Sequence, residues 1–400
     1  VINPGKKIVE AKEYRNFSGG GSRFQNNDTL FARITPCLEN GKISQVRHLD
    51  GEVGFGSTEF LVFRGKQGIT DTEFVYYFVT NHSFRLKAIQ LMVGTSGRQR
   101  VDHKKLSDEV FTIPPLPIQR KIAEILGSLD DKIELNRRMN ETLEQMAMAL
   151  YKHWFVDFGP FQDGEFVESE IGLIPRVYEC LSYKEIVDFC LGGDWGKDIP
   201  NSDENVGVNV IRGADFTVIN SGSQFSLPVR YIKKSSFEKR KVKDMDIIIE
   251  NSVNASSRTT GQSLLITREL LDFIGENTIP ASFCKLFRLK RPNLSPIVYM
   301  HLKFLYESGD MEQYQNVSSN GIGNFQATQF LENQKIVLPV GDSCNQVLSS
   351  ISDLLSQIAK NNKESFYLSI TRDYLLPRLL SGEIEVREAE EHVEEVLANG

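Results

Sequence analysis

No stretch of these 400 residues approaches the roughly 20 consecutive apolar positions that a membrane-spanning helix requires, and nothing in the first residues reads as a secretion signal. A cytoplasmic protein is expected. Cysteine is scarce: Cys37, Cys180, Cys190, Cys284 and Cys344 are scattered, odd in number and free of any C-x-x-C pair, so neither a disulfide framework nor a zinc site is supported. Reduced, buried thiols follow. Catalytic signatures are missing as well. The six histidines form no H-E-x-x-H, no G-x-S-x-G elbow occurs, and Gly196-Lys197 is followed by Asp198 without the upstream glycine of a phosphate-binding loop. Gly19-Gly20-Gly21 is not G-x-G-x-x-G, and Asn3-Pro4-Gly5 is not the Asn-Pro-Pro-aromatic site of amino-methyltransferases. Glu10-Ala11-Lys12 has the E-x-K spacing of many nucleases, but no preceding acid can be assigned to it. The chain reads as a non-catalytic protein that binds no metal and no cofactor of its own.

A basic surplus, the usual mark of a nucleic-acid partner, is also lacking, since the net charge is −7. Its distribution changes the picture. The segment 383–400 carries seven acids and one Arg, so most of the negative charge is a tail. Residues 1–115 hold 16 Lys and Arg against 12 Asp and Glu, while residues 159–340 hold 19 against 23. Within the latter, Arg230, Lys233, Lys234, Lys239, Arg240, Lys241 and Lys243 are opposed locally only by Glu238. Arg98, Arg100, Lys104 and Lys105 form a smaller group around Asp102.

What the chain has is a message given twice. Ile122, Leu126, Leu129, Ile133, Asn136, Asn140, Leu143, Ala147, Leu150 and Trp154 alternate steps of four and three residues, the seam of a coiled coil. Val347, Ile351, Leu354, Ile358, Asn361, Ser365, Leu368, Arg372 and Leu375 keep the same rhythm, and Asn136 recurs as Asn361. A seam Asn costs stability relative to Leu and fixes register, so the two helices are expected to pair with each other in one alignment, as an antiparallel coiled coil. The repeat extends upstream. Val1-Ile2-Asn3 matches Val218-Ile219-Asn220, Asp28 before Leu30-Phe31 matches Asp246 before Ile247-Ile248, and Phe63-Arg64 matches Phe287-Arg288. Ile113-Pro114-Pro115 answers Val337-Leu338-Pro339 at the junction with each helix. In this alignment the stretch from about Gly172 to Thr217 has no counterpart in the first copy, which is expected to lack some 46 residues.

The fold class is therefore α+β: two homologous mixed α/β domains separated by two long helices. The expected boundaries are 1–115 for the first domain, 116–158 for the central helix, 159–340 for the second domain, 341–385 for the distal helix and 386–400 for an acidic tail. Thr29 to Ile34, Phe60 to Arg64, Asp246 to Glu250 and Phe283 to Leu289 read as strands; Phe74 to Gln90 and Ile297 to Tyr306 read as helices. Loops rich in Gly, Ser and Asn at 18–22, 94–97, 251–257 and 318–324 serve equally as turns or as backbone able to approach a phosphate chain.

Pro114-Pro115-Leu116-Pro117-Ile118-Gln119-Arg120, Leu129 through Asn136 and Trp154-Phe155-Val156-Asp157-Phe158 resemble the central conserved region of type I restriction-modification specificity subunits. Leu375 through Ile384 is similar to that family's distal conserved region. Tyr178 departs from the Trp usual there, and Leu338-Pro339-Val340-Gly341-Asp342 is a degenerate proline motif. The resemblance implies that each globular domain is a target-recognition domain reading half of a split DNA sequence and that the helices set the gap. It implies as partners double-stranded DNA, two modification (methyltransferase) subunits and two restriction subunits, with S-adenosylmethionine, ATP and Mg on those partners. Expected DNA contacts are Arg23, Arg33, Thr35, Ser96, Arg98, Gln99 and Arg100 in the first domain, and Lys197, Arg212, Lys239, Lys241, Asn251, Ser257, Arg258 and Asn324 in the second. Trp154 and Phe155 are the expected contacts with the modification subunit, Phe155 as an exposed anchor, while Trp154, on the seam, also suits packing against the other helix or the base of the second domain. Two other classes fit the residues alone: a coiled-coil scaffold for protein interactions, and a nuclease or methyltransferase with unrecognised motifs.

Overall fold

The seam residues form two long helices, Leu116–Phe155 of 40 residues and Asn345–Ser381 of 37. A computed structural model describes residues 2, 6–10, 19–51, 53–95, 97–254 and 259–398. It divides into two compact units, Val1–Glu134 with Tyr367–Gly400, and Leu135–Phe366, so each unit holds a stretch of both helices. In the first, Ile122, Leu126 and Leu129 are buried with Leu368, Leu375 and Leu379. In the second, Ala147, Tyr151 and Phe155 are buried with Val347, Leu348 and Ile351. The two stretches run antiparallel in both units.

Polar seam positions pair where the pattern places them. In the second unit Asn136 Nδ2 donates to Glu364 Oε2 at 2.7 Å and to Ser365 Oγ at 3.2 Å, while Asn361 Nδ2 donates to Asn140 Oδ1 at 2.8 Å. Asn136 with Ser365 and Asn140 with Asn361 are the same contact made twice by the repeat. Amides of fixed reach bond in one alignment only, whereas leucines tolerate a slip. The first unit has a charged lock instead. Arg372 Nη1 lies 2.7 Å from Asp130 Oδ1, and Asp130 Oδ2 accepts the Tyr77 hydroxyl at 2.7 Å, tying the globular part to both helices.

The two globular parts share one frame. Asp28 and Asp246 are each 1% exposed. Asp28 accepts the Gln25 backbone N–H at 2.8 Å and Arg64 Nε and Nη2, both at 2.6 Å. Asp246 accepts the Lys243 N–H at 2.7 Å and Arg288 Nε and Nη2 at 2.8 and 2.7 Å. The residue before each carboxylate is left-handed, Asn27 at φ 74° and Met245 at φ 67°. Each donates its N–H to the neighbouring strand, at Val46 and Ile266. The strands that follow have equivalent antiparallel neighbours: Thr29–Ala32 lies between Ile43–Val46 and Phe60–Phe63, and Ile247–Glu250 between Ser263–Leu265 and Cys284–Leu289. Thr29 opposes Phe63 as Ile247 opposes Phe287. In the first unit Ile8–Val9 completes the sheet, parallel to Ile43–Val46. In the second, Val187–Gly192 flanks Cys284–Leu289, and a further sheet, Val229–Ile232, Val206–Ile211 and Thr278–Pro280, adds a second layer.

Several expectations need correction. The helix expected over 74–90 is two, Thr72–Thr80 and His82–Gln90, because buried Asn81 caps both: its N–H donates to Tyr77 and its side chain accepts from the Ser83 N–H. The acidic tail is largely a helix, Val386–Ala398, since Ala389 and Val393, one turn apart, enter the first unit's core while the acids face outward. Of the cysteines, Cys284 and Cys344 are buried and the other three are half-buried. Burial pushes the Cys284 thiol up to about 12. No helix of the described residues is long and apolar enough to cross a membrane.

Two consequences are measurable. Arg372→Met leaves the Asp130 carboxylate buried without its cation and should cost about 3–5 kcal/mol in chemical denaturation. His301, fully enclosed and bonded to the Tyr183 hydroxyl at 3.1 Å, has its pKa lowered to about 3 by burial. The unfolded chain therefore binds the extra proton first. Stability supplied by His301 is present above pH ~6.5 and lost as the pH falls toward 3, at up to ~1.4 kcal/mol per pH unit. Denaturation of His301→Phe should show a shallower acid slope than the parent.

Candidate nucleic-acid interface

In the first unit five of the expected contacts meet on one seam between segments 33–35 and 98–101. Thr35 N–H donates to the Gln99 carbonyl at 3.0 Å, Gln99 N–H to Thr35 Oγ1 at 3.0 Å, and Val101 N–H to the Arg33 carbonyl at 2.8 Å. Glu59, which sequence reasoning passed over, joins them. Arg100 grips its carboxylate through Nε and Nη2 at 2.8 and 2.7 Å, and Arg33 Nε reaches it at 3.3 Å. Arg100 first, and Arg33 after it, hold the Glu59 carboxyl below the usual range against the opposing effect of burial. The cluster thus keeps one net positive charge and two ordered guanidinium planes. Arg98 is exposed, with no side-chain partner among the described residues. Arg23 is exposed on the Ser22–Phe24 strand, which pairs with Gly54–Gly56. Ser96 lies outside the described residues.

The second unit separates its candidates into two groups. Arg212 caps the Gly213–Asn220 helix and is held by Asp215 at 2.6 and 2.9 Å. A Cβ on Gly213 would sit 2.2 Å from Glu250 Oε1, which puts Arg212 beside the Glu250-Asn251 corner. There Asn251 Nδ2 donates to Ser252 Oγ at 3.1 Å, and Ser252 Oγ donates to Asn324 Oδ1 at 2.7 Å. Phe283, another residue the sequence did not single out, lies at this corner 67% exposed, its carbonyl accepting the Asn251 N–H at 2.8 Å. Ser257 and Arg258 lie outside the described residues.

The other group surrounds the Val229–Ile232 strand. Lys197 bridges Tyr231 through its backbone, and its side chain is exposed. Trp195 stacks on Arg230, with the guanidinium carbon 4.5 Å from the ring centroid. The seven-charge run is far less bare than its sequence: Arg230 pairs with Asp198, Lys233 with Asp203 at 3.7 Å, and Lys241 with Glu276 at 3.1 Å. Arg240 donates to the Gly192 carbonyl at 2.9 Å. Lys234, Lys239 and Lys243 stay exposed and have no side-chain partner among the described residues. Acids distant in sequence supply neutralisation that local counting omits.

At the end of the first long helix the assignment of Phe155 reverses. It is 4% exposed, packed between Tyr151 and Tyr178 with ring centroids at 5.8 and 5.6 Å. An exposed anchor it is not. Trp154 is half-buried against Phe161, and its carbonyl accepts the Tyr178 hydroxyl at 2.8 Å, a bond that ties this helix end to the second domain. Among the described residues no three His, Cys, Asp or Glu side chains gather into a metal-sized site.

A family model described as the type I restriction modification DNA specificity domain matches residues 5–145. The chain is 25% identical over 335 residues to the type I restriction enzyme MjaIX specificity subunit of Methanocaldococcus jannaschii, covering 81% of this chain and 71% of that one. It is 32% identical to the HindI specificity subunit of Haemophilus influenzae over 163 residues, 40% of this chain and 35% of that relative. A crystal structure of the type I restriction-modification S subunit from M. genitalium aligns with a TM-score of 0.48 and 14% identity, covering 95% of this chain and 90% of that one. With a specificity-domain model on residues 5–145 and a specificity subunit matching most of its length, the chain is similar to the specificity subunits of type I restriction-modification systems.

Proposed function

We propose that this chain is the DNA-reading subunit of a type I restriction-modification complex, with each globular domain reading one half of a bipartite duplex target. The observation that carries this reading is the duplication itself: two copies of one strand frame, each joined to a stretch of the same antiparallel helix pair. Two copies of one frame, each joined to a helix pair of unique register, suit a target with two halves. The chain does no chemistry of its own. Two modification subunits dock against the helices and two restriction subunits join them, bringing S-adenosylmethionine, ATP and Mg.

Phosphate contacts fall to Arg98, Lys197 and Lys239, exposed cations with no side-chain partner among the described residues, and base-edge contacts to the ordered groups around Arg33 and Asn251. Arg23, Arg212 and Lys241 support the backbone track, and Thr35, Gln99, Arg100 and Asn324 shape the reading surface.

The decisive experiment is purification from the native host combined with single-molecule methylation sequencing, with and without the gene. Co-purifying methyltransferase subunits and loss of methylated adenine at one split motif are the expected results. An unchanged methylome rejects the reading. In the assembled methyltransferase, Lys239→Ala and Arg98→Ala should each weaken binding to all DNA sequences alike and lower the slope of log K against log salt by about one. An unaltered slope in filter binding between 50 and 200 mM salt, concentrations typical of such titrations, removes that residue from the phosphate track.

A further inference from the structure

The shared frame aligns the two reading surfaces position by position. In the first domain the Arg33 N–H donates to the Glu59 carbonyl at 2.9 Å, and the Val101 N–H to the Arg33 carbonyl at 2.8 Å. In the second, the Asn251 N–H donates to the Phe283 carbonyl at 2.8 Å, and the Phe325 N–H to the Asn251 carbonyl at 2.7 Å. Ile34 bridges Arg100 just as Ser252 pairs with Asn324. Three backbone positions are therefore equivalent: Arg33 with Asn251, Glu59 with Phe283, and Arg100 with Asn324. The buried pair a few residues away is Asp with Arg in both copies. At these three positions the chemistry differs throughout.

We infer that this three-residue position is the base-reading site of each domain and that its side chains set the sequence of each half-site: a guanine read by Arg33 and Arg100 with Glu59 orienting both, and an A·T pair read by Asn251, Phe283 and Asn324. The inference rests on the DNA-reading role proposed above. Among the described residues Glu59 alone engages Arg33, at Nε, and the two Nη groups form the fork that fits guanine O6 and N7. Arg100 gives two donors of one edge, Nε and Nη2, to the same carboxylate, so Glu59 as acceptor holds both guanidinium groups in place. In the second domain Asn324, whose Nδ2 donates to Ser318 Oγ and the Ile322 carbonyl, orients Asn251 through Ser252, and the Asn251 amide supplies the donor and acceptor pair that matches adenine N6 and N7. Phe283 is a large ring 67% exposed on a backbone fixed by hydrogen bonds, placed to meet the thymine methyl of the same pair. An exposed ring gains nothing from burial in the free chain. The frame specifies the place; the substituents specify the base.

The test uses the complete complex with its methyltransferase subunits in a host lacking the native gene, read by single-molecule methylation sequencing. The graft N251R/F283E/N324R should convert one A·T position of one half-site toward G·C, leaving the other half-site and the gap unchanged. R33Q should relax discrimination at one guanine of the opposite half-site by about tenfold or more. F283A, a surface truncation, covers the case in which the graft fails to fold, and should relax preference at one A·T position. If R33Q and F283A complexes methylate the parent motif with undiminished discrimination, the inference is wrong. If the unaltered complex marks no split motif at all, the DNA-reading role itself has failed.

Discussion

A carboxylate buried between neighbouring strands and gripped by an arginine from the next strand is the constraint on which both domains depend. The Asp28–Arg64 and Asp246–Arg288 pairs fix where one strand starts and which residue opposes it across the ladder. Register in a sheet decides which face every later side chain occupies. Removing the arginine leaves an uncompensated charge in the interior, so the arrangement resists slippage more strongly than apolar packing does. Everything downstream inherits this fixed origin, including the places of Arg33 and Asn251.

The helices solve the same problem differently at their two ends. In the second unit neutral amides set the alignment; in the first, Asp130 and Arg372 do so while also engaging Tyr77 from the globular part. The polar seam gives up some stability relative to leucine in exchange for a single alignment. Uniqueness of alignment suits the role proposed for these helices.

Much of this was legible in the sequence. The seam spacing, the repeated Asn, the recurring Asp and the Phe-Arg pair mark the helices and the frame because each is a short-range pattern bound to a backbone periodicity. Phe155 misled because a heptad defines one face, whereas Tyr178 of the following domain covers another. The basic run looked bare because Asp198, Asp203 and Glu276 reach it only through folding. Glu59 and Phe283 were invisible individually. Extending the Phe63-Arg64 to Phe287-Arg288 alignment by four residues places them opposite each other, but only the hydrogen bonds to Arg33 and Asn251 show why that matters.

The C-terminal acidic helix is anchored by Ala389 and Val393 and presents its carboxylates outward, so much of the net negative charge of the chain lies on one local face. Bulk charge is then a poor guide to handling. An anion-exchange resin should retain the molecule through this helix while its exposed lysines stay available to a polyanion, so heparin and quaternary-amine columns should both bind it, each reporting a different region.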